Sequence, residues 1–352
     1  MNALPYTVAL IIPTGIGAAI GGYAGDALPV ARAMSSICDY LITHPNVLNG
    51  AQLYWPLPNT LYVEGYALDQ FAQGNWGLAP VQNNRIGLIL DRGIEEDLRI
   101  RQLQAAEATR ATLGLTLTDY VLTDAPLEVE LRLTDSGSSW GALANPDSLL
   151  RAAERLITHA KATAIAVVAR FPDDVDQLTL QHYRQGKGVD PLSGAEAVIS
   201  HLIVRQFQIP CAHAPALSPL PLDPSISPRS SAEEIGYTFL PCALVGLSRA
   251  PQLTQASSPR SLWSGDVKAL VIPAGACGGS AVLSWAQTDT LIIAVENNRT
   301  QLQVRPEPLG VKALRVSSYL EALGVLVAHR QGVNLACFDP QFPTLPRLSE
   351  SL

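Results

Sequence analysis

Short apolar runs, bounded by turn residues, recur along this chain and alternate with segments of helical periodicity. Several of the runs are apolar throughout, which is typical of strands that helices cover on both faces. Alternation of such strands with helices predicts an α/β fold, a three-layer sandwich with a mostly parallel sheet. The runs lie at residues 6–12, 39–43, 85–90, 163–170, 242–247, 268–272 and 291–295.

Helical periodicity is clearest in four segments. Residues 93–114 carry apolar side chains at helical spacing, and residues 145–160 open with Asn-Pro, as a capped helix start does. Residues 193–207 and 318–332 both begin with Ser-x-x-Glu, the sequence of a capping box. We therefore expect a helix in each segment, with Glu196 in a structural role.

The composition is that of a folded protein with a large core. Of 352 residues, 47% are hydrophobic and 16% are charged, which disfavours a disordered or coiled-coil protein. The net charge is −7 and the basic residues form no dense run, so we expect no nucleic-acid partner. The five cysteines include no Cys-x-x-Cys pair; the sequence therefore predicts no disulfide framework, no metal site and a cytoplasmic location.

The apolar run ALIIPTGIGAAIGG at residues 9–22 belongs to a longer stretch, 1–25, that has no charged side chain. A stretch of this length imitates a membrane segment. No lysine or arginine precedes it, however, Pro13 interrupts it, and its glycines would weaken a spanning helix. We interpret it as a buried strand and a flexible turn, and expect no membrane span.

The Pro- and Ser-rich segment 214–231 is predicted to be an irregular surface excursion. A chain of this length suits one large domain or two lobes. We expect an N-terminal α/β lobe over residues 1–180 with the first glycine-rich turn. A C-terminal α/β lobe over residues 181–352 would hold the excursion and a second such turn.

An internal echo links the two glycine-rich turns. ALIIPTGIG at residues 9–17 resembles ALVIPAGAC at residues 269–277, and both continue into Gly-Gly. Two such units could be halves of a pseudo-symmetric body whose turns meet at one cleft. Chance agreement between two strand ends is the alternative, and one match of this length does not decide between them.

The first turn has the spacing Gly15-x-Gly17-x-x-x-Gly21, one residue longer than the dinucleotide fingerprint. The next strand ends in His44 instead of an acid that would hold a ribose, and no P-loop sequence follows. The turn therefore predicts a small-anion site, with Asp26 close by. A tight turn without a ligand is the alternative.

The second turn places Cys277, Gly278 and Ser280 after another buried strand. Helix-terminal amides there could activate a cysteine nucleophile and hold an oxyanion. The alternative is a small buried residue in a crowded turn, because the sequence offers no adjacent base.

Polar residues are dense between residues 42 and 69. His44 follows a strand and is a candidate general base, while Asn46 and Asn49 are candidates to hold polar groups of a substrate. Turn formation by His-Pro and Asn-Gly is the alternative.

Four more residues complete the predicted site. Lys187 and Asp190 precede a helix N-terminus, where a lysine could meet a carboxylate or phosphate. Glu296 and Asn297 follow a strand at the edge where α/β proteins bind ligands, although they could equally form a turn.

Two further histidines are not included in the predicted site. His201 lies within a helix and is predicted to be packed or exposed. His213 alternates with Cys211 on a short strand, so both would face one side. A Cys/His pair or a metal-ligand pair is therefore conceivable, but two groups do not make a metal site.

Long motifs extend the interpretation beyond single residues. GYAGDALPVARA, ITHPNVLNGA, LYVEGYALD, GVDPLSGAEAVISH, PCAHAPA, AEEIGYTFLPCALVGLSRAP and PAGACGGSAVLS together resemble an uncharacterised cyanobacterial and plastid family, domain of unknown function 3326. The resemblance covers nearly the whole chain and implies a cytoplasmic or plastid protein of a photosynthetic lineage. It implies no reaction, cofactor or catalytic residue.

The sequence thus predicts an enzyme that acts on a small anionic metabolite, a carboxylate or a phosphate ester, bound between two glycine-rich strand ends. A non-catalytic ligand-binding or assembly protein serving photosynthesis is one alternative, and a nucleotide-binding oxidoreductase is a weaker one. The sequence specifies neither cofactor nor oligomeric state. The predicted site residues are His44, Cys277 and Glu296 as catalytic groups, and Gly15, Gly17, Gly21, Asp26, Asn46, Asn49, Lys187, Asp190, Gly278, Ser280 and Asn297 as ligand-binding groups.

Overall fold

Parallel strands form the two main sheets of this fold. The computed structural model describes residues 5–49, 56–133, 139–173, 177–231, 239–342 and 344–345. The strands in these ranges are β1 Thr7–Leu10, β2 Tyr40–Thr43, β3 Thr60–Tyr62, β4 Gly77–Ala79, β5 Ile86–Leu90, β6 Leu117–Leu122, β7 Val129–Leu133, β8 Ser139–Leu143, β9 Ala164–Arg170, β10 Cys211–Ala216, β11 Gln252–Thr254, β12 Val267–Pro273, β13 Leu291–Val295 and β14 Leu314–Val316.

Helices connect most of the parallel strands. Short 3₁₀ turns lie at Ser264–Asp266, Glu307–Leu309 and Leu335–Phe338. The α-helices in the described ranges are α1 Leu28–Ser35, α2 Pro45–Leu48, α3 Gly65–Ala72, α4 Glu96–Leu113, α5 Pro146–Thr158, α6 Gln177–Arg184, α7 Ser193–Phe207, α8 Phe239–Ser248, α9 Ser280–Trp285 and α10 Tyr319–Arg330.

The larger sheet has six parallel strands in the order β14-β13-β12-β1-β2-β3. Going along the chain, strands are added outward from β1 to β3 and then in the opposite direction from β12 to β14. The order therefore reverses between β1 and β12, as it does in doubly wound α/β folds. A crevice opens at such a reversal beyond the carboxyl ends of the strands.

The smaller sheet has four parallel strands in the order β10-β9-β5-β6. Its strand order reverses between β5 and β9, which gives it a crevice of its own. Two antiparallel pairs, β4 with β11 and β7 with β8, lie outside these sheets.

Apolar side chains on opposite faces of the strands enter two different cores. One core includes Leu10 and Val168 with residues of α1, α4, α8 and α10. The other includes Ile11 and Val167 with residues of α3, α5, α7 and α9. Because both cores contain residues from both sheets, helices cover each sheet on two faces. The predicted α/β class with layered parallel sheets is confirmed.

Most of the predicted strands agree with the observed ones to within one or two residues, but the run 242–247 is not a strand. It belongs to α8, whose side chains are buried against β5, β9 and β10. A short run that is apolar on all sides is compatible with either a buried strand or a buried helix, and periodicity alone does not separate them.

The two predicted capping boxes have different outcomes. Ser318 caps α10 by accepting the backbone N–H of Glu321, as expected. Ser193 is inside α7 and its hydroxyl donates to the backbone oxygen of Asp190, so the predicted box at the start of α7 is wrong. Glu196 is therefore not a capping residue.

The two echoed segments lie side by side in one sheet, because β1 pairs with β12. The larger sheet takes strands from residues 7–62 and 267–316, and the smaller one from residues 86–122 and 164–216. Sheet membership therefore does not follow the predicted division between residues 180 and 181.

Across the described residues, no helix combines the length and the apolar character needed to cross a bilayer. The run 9–22 forms the end of β1 and a series of turns.

Candidate functional site

The carboxyl ends of both parallel sheets open into one cavity of about 620 Å³. His44 and Glu64 follow β2 and β3 of the larger sheet, and Asp173 and Leu217 follow β9 and β10 of the smaller one. Both crevices thus contribute to the same space. Cavities of this size commonly bind small molecules.

The two echoed turns also meet in this cavity. Pro13 and Thr14 line it from the turn after β1, and Ala276, Gly279 and Ser280 line it from the turn after β12. The Pro- and Ser-rich excursion contributes Leu217 to Leu220 as a further wall. The excursion is therefore part of the cavity as well as of the surface.

A carboxylate and a histidine form the best-defined polar pair of the cavity. Glu64 Oε1 lies 2.8 Å from His201 Nε2, and Glu64 Oε2 accepts the backbone N–H groups of Tyr66 and Ala67 at the start of α3. Glu64 is buried, whereas the His201 side chain is 41% exposed toward the cavity. The carboxylate is thus fixed, and it orients the imidazole.

This pair changes the acidity of His201. Burial lowers the pKa of His201, but the hydrogen bond and charge of Glu64, together with the charge of Asp69, outweigh burial and raise the pKa above its ordinary value. The imidazole therefore carries a proton over more of the neutral range than a free histidine does.

Asp69 lies on the same helix as the residues that Glu64 caps. Its Oδ1 accepts the backbone N–H of Ala281 at 3.0 Å, at the start of α9. Burial raises the pKa of Asp69, although the Ala281 amide and the charge of His201 act in the opposite direction. Asp69 and Glu64 therefore place carboxylates at the N-termini of two helices that border the cavity.

A second carboxylate–histidine arrangement lies on α7 and β10. Ser200 Oγ is 2.6 Å from His213 Nδ1, and His213 Nε2 is 3.6 Å from Glu196 Oε2. Glu196 and Ser200 are four residues apart on α7 and share a face of the helix. All three side chains line the cavity.

His44 is held in one protonation state. Its Nε2 accepts the backbone N–H of Ile12 at 3.0 Å, which leaves Nδ1 as the protonated nitrogen of the neutral ring. Burial lowers the pKa of His44 to about 4. His44 is a neutral side chain at pH 7 and presents a donor, not a base, at Nδ1.

The described lining contains more negative than positive groups. It includes one guanidinium, Arg184, together with five carboxylates and three imidazoles. The helix starts of α3 and α9 already have carboxylates of the chain at their amides. This balance favours a neutral or singly charged ligand over a dianion. The five carboxylates are Glu64, Asp69, Asp173, Asp190 and Glu196.

Five of the predicted site residues line the cavity: His44, Asn46, Asn49, Asp190 and Ser280. Asn46 Nδ2 donates to the backbone oxygen of Gly21, Asn49 Oδ1 accepts from the Tyr62 hydroxyl, and Asp190 Oδ1 accepts the backbone N–H of Leu192. Ser280 Oγ accepts from Gln73 Nε2. A ligand role for these groups stays a prediction.

The glycines of the first turn allow other parts of the chain to approach. A Cβ on Gly15 would lie 2.9 Å from Ser193 Oγ, and one on Gly17 would lie 2.8 Å from the Gly188 backbone oxygen. Gly15, Gly17 and Gly21 all have positive φ. Their ligand role is likewise untested, and the contacts give each a conformational reason to be glycine.

Asp26 already occupies an anion position in this turn. Its Oδ1 accepts the backbone N–H of Gly21 at 2.6 Å, and its Oδ2 lies 3.2 Å from the Arg229 guanidinium. A carboxylate of the chain therefore sits where the sequence predicts a bound anion. Burial raises the pKa of Asp26, with Arg229 opposing the shift.

Cys277 is fully buried, and its thiol lies 3.9 Å from the backbone oxygen of Pro273 and 3.7 Å from that of Ala274. Burial raises the pKa of the thiol to about 11. A Cβ on Gly278 would meet Val304 at 2.7 Å. Neither residue is among the described lining of the cavity, and their predicted roles stay predictions.

Three other predicted residues lie elsewhere among the described residues. Glu296 forms ion pairs with Arg305 and Arg315, and these guanidinium groups, overcoming the effect of burial, lower its pKa. Asn297 and Lys187 are exposed. None of the three is part of the described cavity lining.

Sequence reasoning did not select His201, Glu196, Ser200 and His213 as site residues. The signal available was the spacing of Glu196 and Ser200, four residues apart on a predicted helix, and the position of His213 on the next strand. Pairing α7 with β10 in space was needed to bring them together.

Fold and site together define an α/β protein with a ligand-sized cavity at the carboxyl edge of two parallel sheets. The chain belongs to the DUF3326 family, described as proteins of unknown function, whose model matches residues 7–339. A Synechococcus sp. protein described as an uncharacterized lipoprotein is 60% identical over 348 residues, covering 98% of this chain and 97% of that protein. No solved structure matches the chain.

These comparisons confirm the family resemblance and its cyanobacterial lineage. The name lipoprotein does not fit the cytoplasmic location predicted from the cysteines, and that location is not supported.

Proposed function

We propose that this protein is an enzyme that binds a small metabolite in the cavity and transfers a proton to or from it through His201. The observation that carries the proposal is the Glu64–His201 pair, 2.8 Å apart, in a cavity onto which the crevices of both sheets open. Ligand sites of α/β proteins lie at such crevices.

The roles of the two residues follow from their surroundings. Glu64 is buried and accepts two backbone N–H groups, so it acts as a fixed partner that positions His201. His201 Nε2 faces Glu64, and its Nδ1 has no hydrogen-bond partner among the described side and main chains. Nδ1 is therefore the atom that exchanges a proton with the metabolite.

The lining supports a substrate of limited charge with an apolar part. Leu68, Leu192, Leu220, Phe239 and Val282 contribute apolar surface. A carboxylate or phosphate ester, the class that the sequence predicts, would find its cationic contacts at His201 and Arg184. Because carboxylates outnumber these cations, a monoanion or a neutral carbonyl compound fits better than a dianion.

The test uses thermal unfolding with a panel of monocarboxylates, phosphate monoesters, neutral carbonyl compounds and primary amines. Ala197→Trp fills the cavity from α7, whereas Gln206→Trp adds the same bulk at an exposed position of that helix. We expect at least one class to raise the Tm of the wild type and of the Gln206→Trp variant by several degrees, but not that of Ala197→Trp. Equal shifts in all three proteins would refute binding in the cavity.

Catalysis is tested separately from binding. For a compound that binds, we expect solvent deuterium to exchange into it, or turnover, in the wild type and a loss of at least about 100-fold in His201→Gln. Binding without exchange or turnover in the wild type would instead favour a non-catalytic ligand-binding protein, for which the large apolar lining is the supporting observation.

An oxidoreductase that binds a nucleotide has one observation in its favour, the strand order of the six-stranded sheet. Against it, Gly17 in the turn after β1 is packed on Gly188 and Gln301. Adding NADPH to the panel tests this alternative, and a Tm unchanged at millimolar NADPH would exclude tight binding.

Location needs its own test because the relative is described as a lipoprotein. Among the five cysteines Cys337 is exposed, and Cys38, Cys211, Cys242 and Cys277 are buried. Fractionation of cyanobacterial cells followed by detergent phase partition decides the question. Recovery in the aqueous phase supports the cytoplasmic prediction, and recovery in the detergent phase supports a lipid-anchored protein.

A further inference from the structure

We propose that Ser200, His213 and Glu196 form a nucleophilic triad that transfers the acyl group of a small ester. The inference rests on the proposed cavity function and names its substrate class. Ser200 would be the nucleophile, His213 the base, and Glu196 the residue that positions the base.

The three side chains lie in the order serine, histidine, carboxylate, which acyl transfer by a serine nucleophile requires. Ser200 Oγ is 2.6 Å from one ring nitrogen of His213, and Glu196 Oε2 is 3.6 Å from the other. A proton on Nε2, facing the carboxylate, leaves the lone pair of Nδ1 for the serine hydroxyl. The distance to Glu196 exceeds a hydrogen bond, and such contacts commonly shorten when substrate binds.

The serine is in an unusual situation for its place in a helix. A serine in a helix interior commonly donates to the backbone oxygen one turn earlier. The Ser200 hydroxyl instead contacts His213 Nδ1. Ser200 lines the cavity, although only 2% of the residue's surface is exposed. The hydroxyl is thus buried at the wall of the cavity and lies within hydrogen-bond distance of a base.

Two further ionisable groups lie beside Ser200: the Cys211 thiol, which is hydrogen-bonded to Ser200, and the His201 imidazole. Burial raises the pKa of the neighbouring Cys211 thiol well above its ordinary value, so this thiol stays protonated. His201, the next residue in the chain, lines the same cavity and has a raised pKa. In its protonated form, this imidazole favours a developing oxyanion.

The reaction balances without a cofactor. Ser200 Oγ forms a bond to the ester carbonyl carbon while its proton moves to His213 Nδ1. The bond from that carbon to the alkoxy oxygen then breaks, and the proton passes to the departing alcohol. Water attacks the acyl-serine in the second half, transfers a proton through His213, and releases a carboxylic acid and free Ser200.

The experiment treats the full chain with an alkyl fluorophosphonate and locates the adduct by peptide mass spectrometry. We expect one adduct, on Ser200, formed with loss of fluoride. His213→Asn should slow labelling by at least about 100-fold. Glu196→Gln should also slow it, and Glu196→Asp should restore part of the rate, because a carboxylate that positions the base is returned.

Ser284→Ala is the matched control, since Ser284 is also a serine inside a helix but donates to the Ser280 backbone oxygen and is not part of the described cavity lining. It should label at the wild-type rate. Mapping on the wild type keeps the test decisive even if a variant fails to fold. No adduct, or an adduct on Ser193 or Ser280 instead, overturns the triad. If cavity binding by the compound panel and His201-dependent exchange or turnover persist in that case, the proposed function still stands.

Discussion

His44 Nε2 accepts the backbone N–H of Ile12 at 3.0 Å, across the neighbouring strands β1 and β2. The bond joins the end of β2 to the beginning of the first glycine-rich turn, and His44 lines the cavity. It also uses the lone pair that a general base at Nε2 would need. The histidine that the sequence selects as a base is therefore a neutral donor in the structure.

The burial of His44 makes folding stability depend on pH. The pKa of His44 is about 4 in the folded chain and about 6.5 in an unfolded one. Its contribution is present above about pH 6.5 and is lost as the pH falls through 4, up to about 3 kcal/mol. We expect urea unfolding to show a smaller loss between pH 7 and pH 4 in His44→Gln than in the wild type. Equal losses would contradict this account.

The pH dependence that His201 gives to folding stability has the opposite sign to that of His44. Its folded pKa is raised, so its pairing with Glu64 stabilises the fold fully below the unfolded pKa, and this contribution is lost as the pH rises through the folded value. We expect NMR titration to give His201 a higher midpoint in the wild type than in Glu64→Gln. Glu107→Gln, which removes an exposed acid on α4, should leave the midpoint unchanged. An unchanged midpoint in Glu64→Gln would contradict the claim that Glu64 raises the pKa of His201.

Comparing Gly17→Ala with Gly74→Ala separates the energetic cost of steric crowding from the cost of a positive φ. Gly17 and Gly74 both have positive φ, but a Cβ on Gly17 would lie 2.8 Å from a backbone oxygen, whereas a Cβ on Gly74 would meet nothing within 4 Å. We expect Gly74→Ala to cost about 1 kcal/mol and Gly17→Ala at least about 1 kcal/mol more. Chemical denaturation measures the loss in the free energy of unfolding for both variants. Equal losses would show that the neighbours of Gly17 move aside without an energetic cost.

Cys277 allows a direct check of the predicted nucleophile. Because the thiol is fully buried and its pKa is about 11, we expect native protein at pH 7.5 to react with iodoacetamide at the exposed Cys337 and not at Cys277. Mass spectrometry of the peptides gives the rates. Modification of Cys277 as fast as Cys337 would contradict this expectation and support Cys277 as the predicted nucleophile.

The fold class was accessible from the sequence because buried parallel strands are apolar on both faces. The run at 268–272 belongs to β12, and the run at 291–295 coincides with β13. Residues 242–247 have the same apolar character but form part of α8, since burial on all sides removes the periodicity that distinguishes a helix.

The site was less accessible because its groups come from distant parts of the chain. Glu64 follows β3, His201 lies on α7, and no local pattern indicates that they meet. Glu196 matches a local capping sequence, so the sequence predicts a structural role and does not indicate that the residue lies beside His213. A glycine that admits a neighbouring segment and one that admits an anion have the same sequence signature, as Gly17 illustrates.

The most direct test of the cavity function uses the six histidines of the chain as reporters. His44, His201 and His213 line the cavity, and His159, His182 and His329 are outside its described lining. The protein is labelled with ¹³C,¹⁵N-histidine and titrated with the panel compound that raises its Tm most. We expect the ring signals of the first three to shift with one common Kd while the other three stay in place. Shifts confined to His159, His182 or His329, or none in any ring, would contradict the claim that the cavity is the functional site.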